Sequence, residues 1–459
     1  MTRRRHLAAS ALTLAALAAC SSDSPAPLAP SAPSAARGAT TGSIAVNVLL
    51  DGPLTAERRG QLAAFGTLRD EIAQINAVTM RIAADQLAAI QALPYVLAAA
   101  PDAARQGAPI DAVAVGDFTN GISTWDQDAI NATVAPNSTA RGVPLTGAGV
   151  YVGVLDTGLL DSWRQYFPEE RISTKYAIAF GGGGGEVGTV STQPNKWEHD
   201  QDSHGTHVTS SIIGYNLRGT PVNGSAPQAT VIPVKVLGQN GSGWSSVVAR
   251  GIAYMGDLKA GPLANSPVVI NMSLGGSVLD PIEKAAIDYA IGKGVIIVAS
   301  AGNSGMDGMG FPGAYKPVIS VAAAGWKQQG IACAGGTTRT WWFACDVAES
   351  KTASDFFIAD FSSRKTDDTH DLDVTGPGVN VVGPYQITSG KTSYYYLSGT
   401  SMSAPHVAGI VALMAEKNNK LTPTQAEAAL EAAAMPMAEG SLAAGAGFVT
   451  ADAALAETP

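Results

Sequence analysis

The stretch Val150-Tyr151-Val152-Gly153-Val154-Leu155, running into Asp156-Thr157-Gly158, decides the fold. An unbroken apolar run of this length suits a strand covered on both faces, as in a parallel sheet between helical layers. The same texture returns at 231–236, at Val268-Val269-Ile270, at 295–298 and at 318–321. Between these runs, 205–213, 245–259 and 281–292 read as helices. Strands alternating with helices predict an α/β domain built on a doubly wound, mostly parallel sheet with helices on both faces. No fixed-period repeat interrupts this pattern.

Upstream of that domain the texture changes. Ile44-Ala45-Val46-Asn47-Val48-Leu49-Leu50 is strand-like, as are Val78-Thr79-Met80-Arg81-Ile82 and Val96-Leu97, while 54–65 and 84–93 look helical. Residues 43–105 therefore read as a small α+β module. After Ala103 the chain reads as loop until Trp125, so 106–124 is a junction and 125–459 the large domain. Residues 21–42 are almost all Ser, Ala, Pro and Gly and read as a tether. Arg3, Arg4 and Arg5 followed by the apolar residues 7–19 form an export signal, too short to span a bilayer. It ends in Leu17-Ala18-Ala19-Cys20, which resembles the lipobox of bacterial lipoproteins. That resemblance implies cleavage after residue 19 and a lipid on Cys20; the alternative is an ordinary signal peptide that contains a cysteine. The division is thus 1–19 signal, 20–42 lipidated cysteine and tether, 43–105 module, 106–124 junction and 125–459 large domain.

Composition narrows the function. The 459 residues carry a net charge of −9, which argues against a nucleic-acid partner needing a basic face. Apart from Cys20, only Cys333 and Cys345 remain. In an oxidising compartment they make a disulfide loop; otherwise they are two free buried thiols.

Three segments carry chemistry. Asp156 ends a parallel strand, where ligands and catalytic groups gather. His204-Gly205-Thr206-His207-Val208 opens a helix, and Gly399-Thr400-Ser401-Met402-Ser403-Ala404-Pro405 leads into another. A serine hydroxyl is a weak nucleophile until a base takes its proton, and the base needs an acid to fix its tautomer. A serine at a helix N-terminus also faces backbone N–H groups that stabilise an oxyanion. Pro405 suits the first helical turn. His199 and His207 with Asp200 and Asp202 raise the question of a metal, but no His-Glu-x-x-His occurs and no metal site is expected. His207 and His406 read as structural, and Ser398 and Ser403 lack the place of a nucleophile.

The order Asp, His, Ser with these flanks resembles the subtilase family, serine endopeptidases of the subtilisin type, over roughly 125–454. The resemblance implies Ser401 as nucleophile, His204 as general base and Asp156 as its orienting acid, with no cofactor required for the chemistry. Val234-Lys235-Val236-Leu237-Gly238 with Gly241, Ser242 and Gly243 resembles one substrate-binding edge. Asn271-Met272 followed by Ser273, Leu274, Gly275 and Gly276 resembles the other. Ala301, Gly302 and Asn303 resemble the segment with the oxyanion asparagine, and Gly310-Phe311-Pro312-Gly313 the floor of the first specificity pocket. A glycine and no acid there imply a large apolar residue before the cleaved bond. The 43–105 module resembles this family's inhibitor-like propeptides; an unrelated binding domain is the alternative.

The partners expected are protein or peptide substrates and the chain's own propeptide, with the membrane reached only through the lipid. Localisation follows: an exported cell-envelope lipoprotein precursor whose mature protease is released by self-cleavage in the junction. Two departures from the family stand out. The loop after the histidine helix, 214–224, has an arginine and no carboxylate, which puts a structural calcium there in doubt. The stretch 325–361 is longer than expected and holds the cysteine pair with Trp341-Trp342-Phe343, either as a packed loop or as an exposed aromatic patch. A silent binding protein on this fold is the rival class; a lipase is disfavoured because no Gly-x-Ser-x-Gly occurs.

Overall fold

The structure is a computed structural model, and it describes residues 42–459 apart from 116–123, 135–136, 182–189, 330–346, 348–350 and 389–390. Its centre is a nine-stranded sheet. In spatial order the strands are Val190–Ser191, Ile178–Phe180, Thr230–Lys235, Tyr151–Asp156, Val268–Met272, Ile296–Ser300, Ile319–Trp326 and Phe356–Ile358, with Val374–Pro377 also paired to Ile319–Trp326. The inner pairings are parallel; Val190–Ser191 and Phe356–Ile358 run antiparallel at the edges. The expected α/β sheet is therefore present.

Both faces of the sheet are covered, which is why its strands carry no polar alternation. Val152 and Val154 pack under the helices His204–Ile213 and Thr400–Lys417. Leu155, Ile232 and Ile270 face the helices Ser245–Ala260 and Pro281–Gly292 on the other side. A Cβ on Gly153 would lie 2.5 Å from Met255 Cε, so a larger residue there would make the methionine shift. Tyr151–Asp156 sits between Thr230–Lys235 and Val268–Met272, so the crossovers leave it on opposite sides. Its carboxyl end is a topological switch point, and Asp156 occupies it.

The N-terminal module is a four-stranded antiparallel sheet in the order Gly66–Ile72, Ala77–Ala83, Ser43–Leu50, Val96–Pro101. With helices Ala56–Ala63 and Leu87–Gln91 it has the β-α-β-β-α-β connectivity of a split βαβ unit. Val46, Val48, Leu62, Met80, Ile82 and Ile90 form its own core. The strand Gly66–Ile72 escapes the sequence reading because it is charged, bulged between Leu68 and Asp70, and at the sheet edge.

The junction is the main departure. Residues expected to be loop include the strands Ala104–Gln106 and Asp111–Ala114, both paired to the large domain. Strands of three or four residues whose partners lie far along the chain have no periodicity of their own. The boundary at 105 therefore falls inside a strand. Cys20, Cys333, Cys345 and Trp341-Trp342-Phe343 lie outside the described residues. Among the described residues, no helix is long and apolar enough to cross a membrane.

Candidate active site

Asp156 and His204 meet at the carboxyl edge of the sheet, both fully buried. His204 Nδ1 lies 2.8 and 3.0 Å from the two Asp156 carboxylate oxygens. The Thr157 N–H also donates to Asp156 Oδ1 (2.7 Å), which fixes the carboxylate. With Nδ1–H directed at Asp156, the Nε2 lone pair is left to accept a proton, and Nε2 has no partner. Burial would lower the His204 pKa, but Asp156, followed by Asp202 and Asp200, outweighs it and raises the pKa above its ordinary value.

Ser401 is the second residue of Thr400–Lys417 and is 3 % exposed. Its hydroxyl donates to the Ser273 carbonyl (3.3 Å) and not to His204. Pro405 is the sixth helical residue and not, as expected, in the first turn. Lacking an N–H, it leaves the Ser401 carbonyl without its helical donor, and Ser273 Oγ donates there instead (2.8 Å). Asn271 Nδ2 donates in turn to Ser273 Oγ (3.0 Å). Asn303 accepts at Oδ1 from the Thr400 N–H (2.9 Å) and hydroxyl (2.8 Å), which orients the amide so that Nδ2 is its free end.

The chain itself fills the cleft. Gln106 exchanges two backbone hydrogen bonds with Gly275, each 2.9 Å, and lies opposite Ser242 on the other side. Arg105 lies opposite Gly243, and the Gly107 N–H donates to the Gly241 carbonyl (2.9 Å). A Cβ on Gly107 would sit 3.3 Å from His204 Cε1. The Ile110 N–H donates to the Ser398 carbonyl (2.7 Å). These anchors bracket the Ala108–Pro109 peptide bond beside His204 and Ser401. Gly241, Ser242, Gly243, Ser273 and Gly275 thus line the path of an extended strand. Leu274 turns its side chain into the core. Ala301 is packed with Met309, Ala314 and Leu372, and Gly310 donates its N–H to the Ala301 carbonyl (2.9 Å). Gly302 has φ 107°, and a Cβ there would lie 2.9 Å from Ser363 Oγ.

The module holds this segment in place at two helix N-termini, capping one and bracing the cap of the other. Asp102 accepts from the Ser246 N–H (3.0 Å) and hydroxyl (2.6 Å) at the start of Ser245–Ala260, a helix without a side-chain cap of its own. Asn47 donates to Asp102 (3.0 Å) and to Asp280 (2.8 Å), the N-cap of Pro281–Gly292.

The residues set aside as structural have structural partners. His207 is buried, its pKa lowered to about 3 by burial, with Nε2 3.1 Å from the Val381 carbonyl. Ser403 Oγ donates to the Gly376 carbonyl (3.1 Å) and Ser398 Oγ accepts from the Asn380 N–H (3.1 Å). His406 does more than pack: its Nε2 lies 2.8 Å from Asp126 Oδ2. The stretch 214–224 forms a hairpin, Tyr215–Leu217 with Thr220–Val222. There Asn216 Oδ1 accepts from the Gly219 N–H and its carbonyl from Tyr394 Oη, both 2.7 Å, so one oxygen serves the hairpin turn and the other a tyrosine packed beside it. Among the described residues, the acidic group that could hold an ion is Asp371, Asp373 and Glu427, remote from these histidines in sequence.

Three charged residues near the cleft take roles that the sequence reading did not assign: Lys235 stood there only within a substrate-edge stretch, Asp202 only beside a rejected metal site, and Glu283 only inside a helix. Lys235, buried at the end of its strand, donates to the Thr157 carbonyl, and its pKa is lowered by burial. Asp202 has its pKa raised to about 7 by burial, against the pull of His204. Glu283 pairs with Arg105, both fully buried. A lysine inside an apolar strand was the visible signal for the first. Glu283 was hidden because an acid in a helix's first turn is explained by the helix alone.

A pattern described as the Subtilase family matches residues 147–450. Subtilisin from Bacillus sp. (strain TA39) is 34% identical over 276 residues, 58% of this chain and 56% of that protein, so the chain matches just over half of that relative's length. Subtilisin Savinase from Lederbergia lenta is 33% identical over 331 residues, 72% of this chain and 97% of that protein. In structure the chain is similar to fervidolysin from Fervidobacterium pennivorans, with a TM-score of 0.65 and 24% identity, covering 91% of this chain and 61% of that one. That last likeness concerns the fold. With the family pattern over most of the large domain and relatives at one third identity, the chain belongs to the subtilase family of serine endopeptidases.

Proposed function

We propose that this chain is an exported precursor that cuts itself in its junction and then hydrolyses protein substrates, with Ser401 as nucleophile. In this reading Ser401 Oγ attacks the carbonyl carbon while His204 Nε2 takes its proton. Asp156 holds the imidazole and stabilises its charged form. The oxyanion is received by Asn303 Nδ2 and the Ser401 N–H. Collapse expels the amine, which takes the proton from His204, and water then releases the acyl chain by the same steps. These side chains suffice without a cofactor.

The observation that carries the reading is the chain's own segment 105–110, paired with both cleft edges as an extended substrate would be. A proline nitrogen carries a ring carbon in place of hydrogen, which crowds the leaving side of Ala108–Pro109 and suits a segment that lingers before it is cut. The module's helix caps support its role as an inhibitory propeptide. The first specificity pocket, walled by 273–276, 301–303 and 310–313, has no acid in those segments and is backed by Met309 and Phe311, in keeping with a large apolar residue there. Export rests on the N-terminal signal, and anchoring on lipid attached to Cys20; self-cleavage separates that anchor from the protease.

A fluorophosphonate probe tests this directly. It should label Ser401 in protein that digests casein and leave Ser401→Ala unlabelled. Absence of both labelling and casein digestion in the parent would establish the rival reading, a silent scaffold.

A further inference from the structure

Counting backward from the bond held beside Ser401, Ala108, Gly107, Gln106 and Arg105 occupy the first to fourth positions on the acyl side. Ala108 and Gly107 are small and Gln106 is half-buried, whereas Arg105 carries a long side chain that is fully enclosed. Arg105 is 1 % exposed and its guanidinium is buried against Glu283, itself 0 % exposed. Arg105 Nε donates to Glu283 Oε1 (3.0 Å) and Nη2 to Glu283 Oε2, a two-point fork. Nη2 also donates to the Val278 carbonyl and Nη1 to the Ala104 carbonyl, both 2.9 Å. Four of the five guanidinium N–H groups are therefore satisfied. Room for the ring of donors depends on Gly276, where a Cβ would lie 2.7 Å from Arg105 Nη1.

We infer that Glu283 makes this protease select arginine at the fourth position on the acyl side of the bond it cuts, so that its preferred substrates are extended segments with a basic residue three positions before the acyl residue. The inference rests on the proposed proteolysis and names its substrate class. Glu283 and Val278 belong to the large domain and stay in the cleft wall when the module leaves. Asp280, also buried, adds negative charge beside the same site. A substrate with alanine or glutamate at this position leaves the Glu283 carboxylate facing apolar surface or a like charge, and burying an unpaired carboxylate is costly. Lysine offers a point charge without the fork, so it ranks below arginine.

The test uses protein expressed as the full chain and assayed after maturation. The probes are succinyl-X-Gln-Gly-Ala-p-nitroanilides with X as arginine, lysine, citrulline, alanine or glutamate. Citrulline keeps the shape of arginine and removes its charge, so no variant has to fold for the first comparison. In the parent, kcat/KM for arginine should exceed that for citrulline and alanine by about 100-fold, with lysine between and glutamate lowest. In Glu283→Gln the ratio of arginine to citrulline should fall below about fivefold, read within one preparation so that the yield of active enzyme cancels. Arginine and citrulline cleaved equally by a parent preparation that digests casein would overturn the inference and leave the proteolysis standing. An arginine preference kept in Glu283→Gln would overturn it too. Failure of the parent to cut casein or any of the five peptides would instead bring down the proteolytic reading, and the inference with it.

Discussion

Two buried carboxylates flank the cleft, each facing a basic side chain, and they are built on opposite terms. Asp156 and His204 lie within the large domain, 48 residues apart, on the sheet edge and the helix that pack together. Glu283 and Arg105 are 178 residues apart and join the large domain to the module. On the proposed maturation the first pair would stay when the module goes. The second would dissolve, leaving Glu283 without the guanidinium it now faces. On the proposed reading, chemistry is built from one body, and recognition from a contact that each substrate would remake.

The largest effect should separate these two pairs. Asp156→Ala or His204→Ala should lower kcat for peptide hydrolysis by about 10⁴-fold or more, because loss of either group removes the activated nucleophile. Activity within tenfold of the parent in either variant, measured on active-site-titrated protein, would place the base elsewhere. Asn303→Ala should cost about 10²–10³ in kcat with little change in KM, a magnitude whose source is the equivalent change in subtilisin itself.

The Arg105–Glu283 pair is tested without chemistry, in full-length Ser401→Ala protein. Arg105→Ala leaves Glu283 buried and unpaired and should weaken the closed junction by about 3–5 kcal/mol. Protection of 104–110 from hydrogen exchange reads this effect directly. Adding Glu283→Leu should restore most of it, since an apolar pair has no stranded charge. An Arg105→Ala junction as protected as its parent would show that the helix caps of Asn47 and Asp102 hold the segment alone.

The smallest effect concerns Asp202, which stands beside the cleft at Gly241, where a Cβ would lie 3.0 Å from Asp202 Oδ2. Its folded pKa, about 7, lies above its unfolded value near 4, so the folded state holds the proton more tightly. Stability from this group is present at low pH and is lost as pH rises from about 4 to 7. Asp202→Asn in the Ser401→Ala background should therefore raise Tm by about 2–4 °C at pH 9 and by less at pH 5. A variant less stable at pH 9 would show that the charge is engaged.

The same contrast explains what could be read from the sequence. Each strand of the sheet's centre announced itself as an apolar run, because burial on both faces leaves no alternation to obscure it. Asp156, His204 and Ser401 were visible because strand ends and helix starts carry their own punctuation. The helix expected over 281–292 has those bounds in the structure, with Asp280 capping it. The Ala104–Gln106 strand was not legible, since its order comes from Ser242–Trp244 and Gly275, far away in the chain. Glu283 drew no reading of its own for the same reason: its partner is set by the tertiary fold. Pro405 shows the reverse case, a residue whose type was informative and whose helical position only the backbone reveals.

In the proposed function one serine both matures this chain and defines its chemistry while the chain's own segment occupies the cleft. Intact-mass analysis of parent and Ser401→Ala proteins, expressed in a host without other proteases, tests it most directly. The parent should be cut within residues 104–123 and yield a fragment of about 340 residues, a length set by where the module ends. Ser401→Ala should remain full length. A Ser401→Ala protein cut at the same place would contradict self-processing, and a parent that digests casein while uncut would contradict the inhibitory role of its N-terminal module.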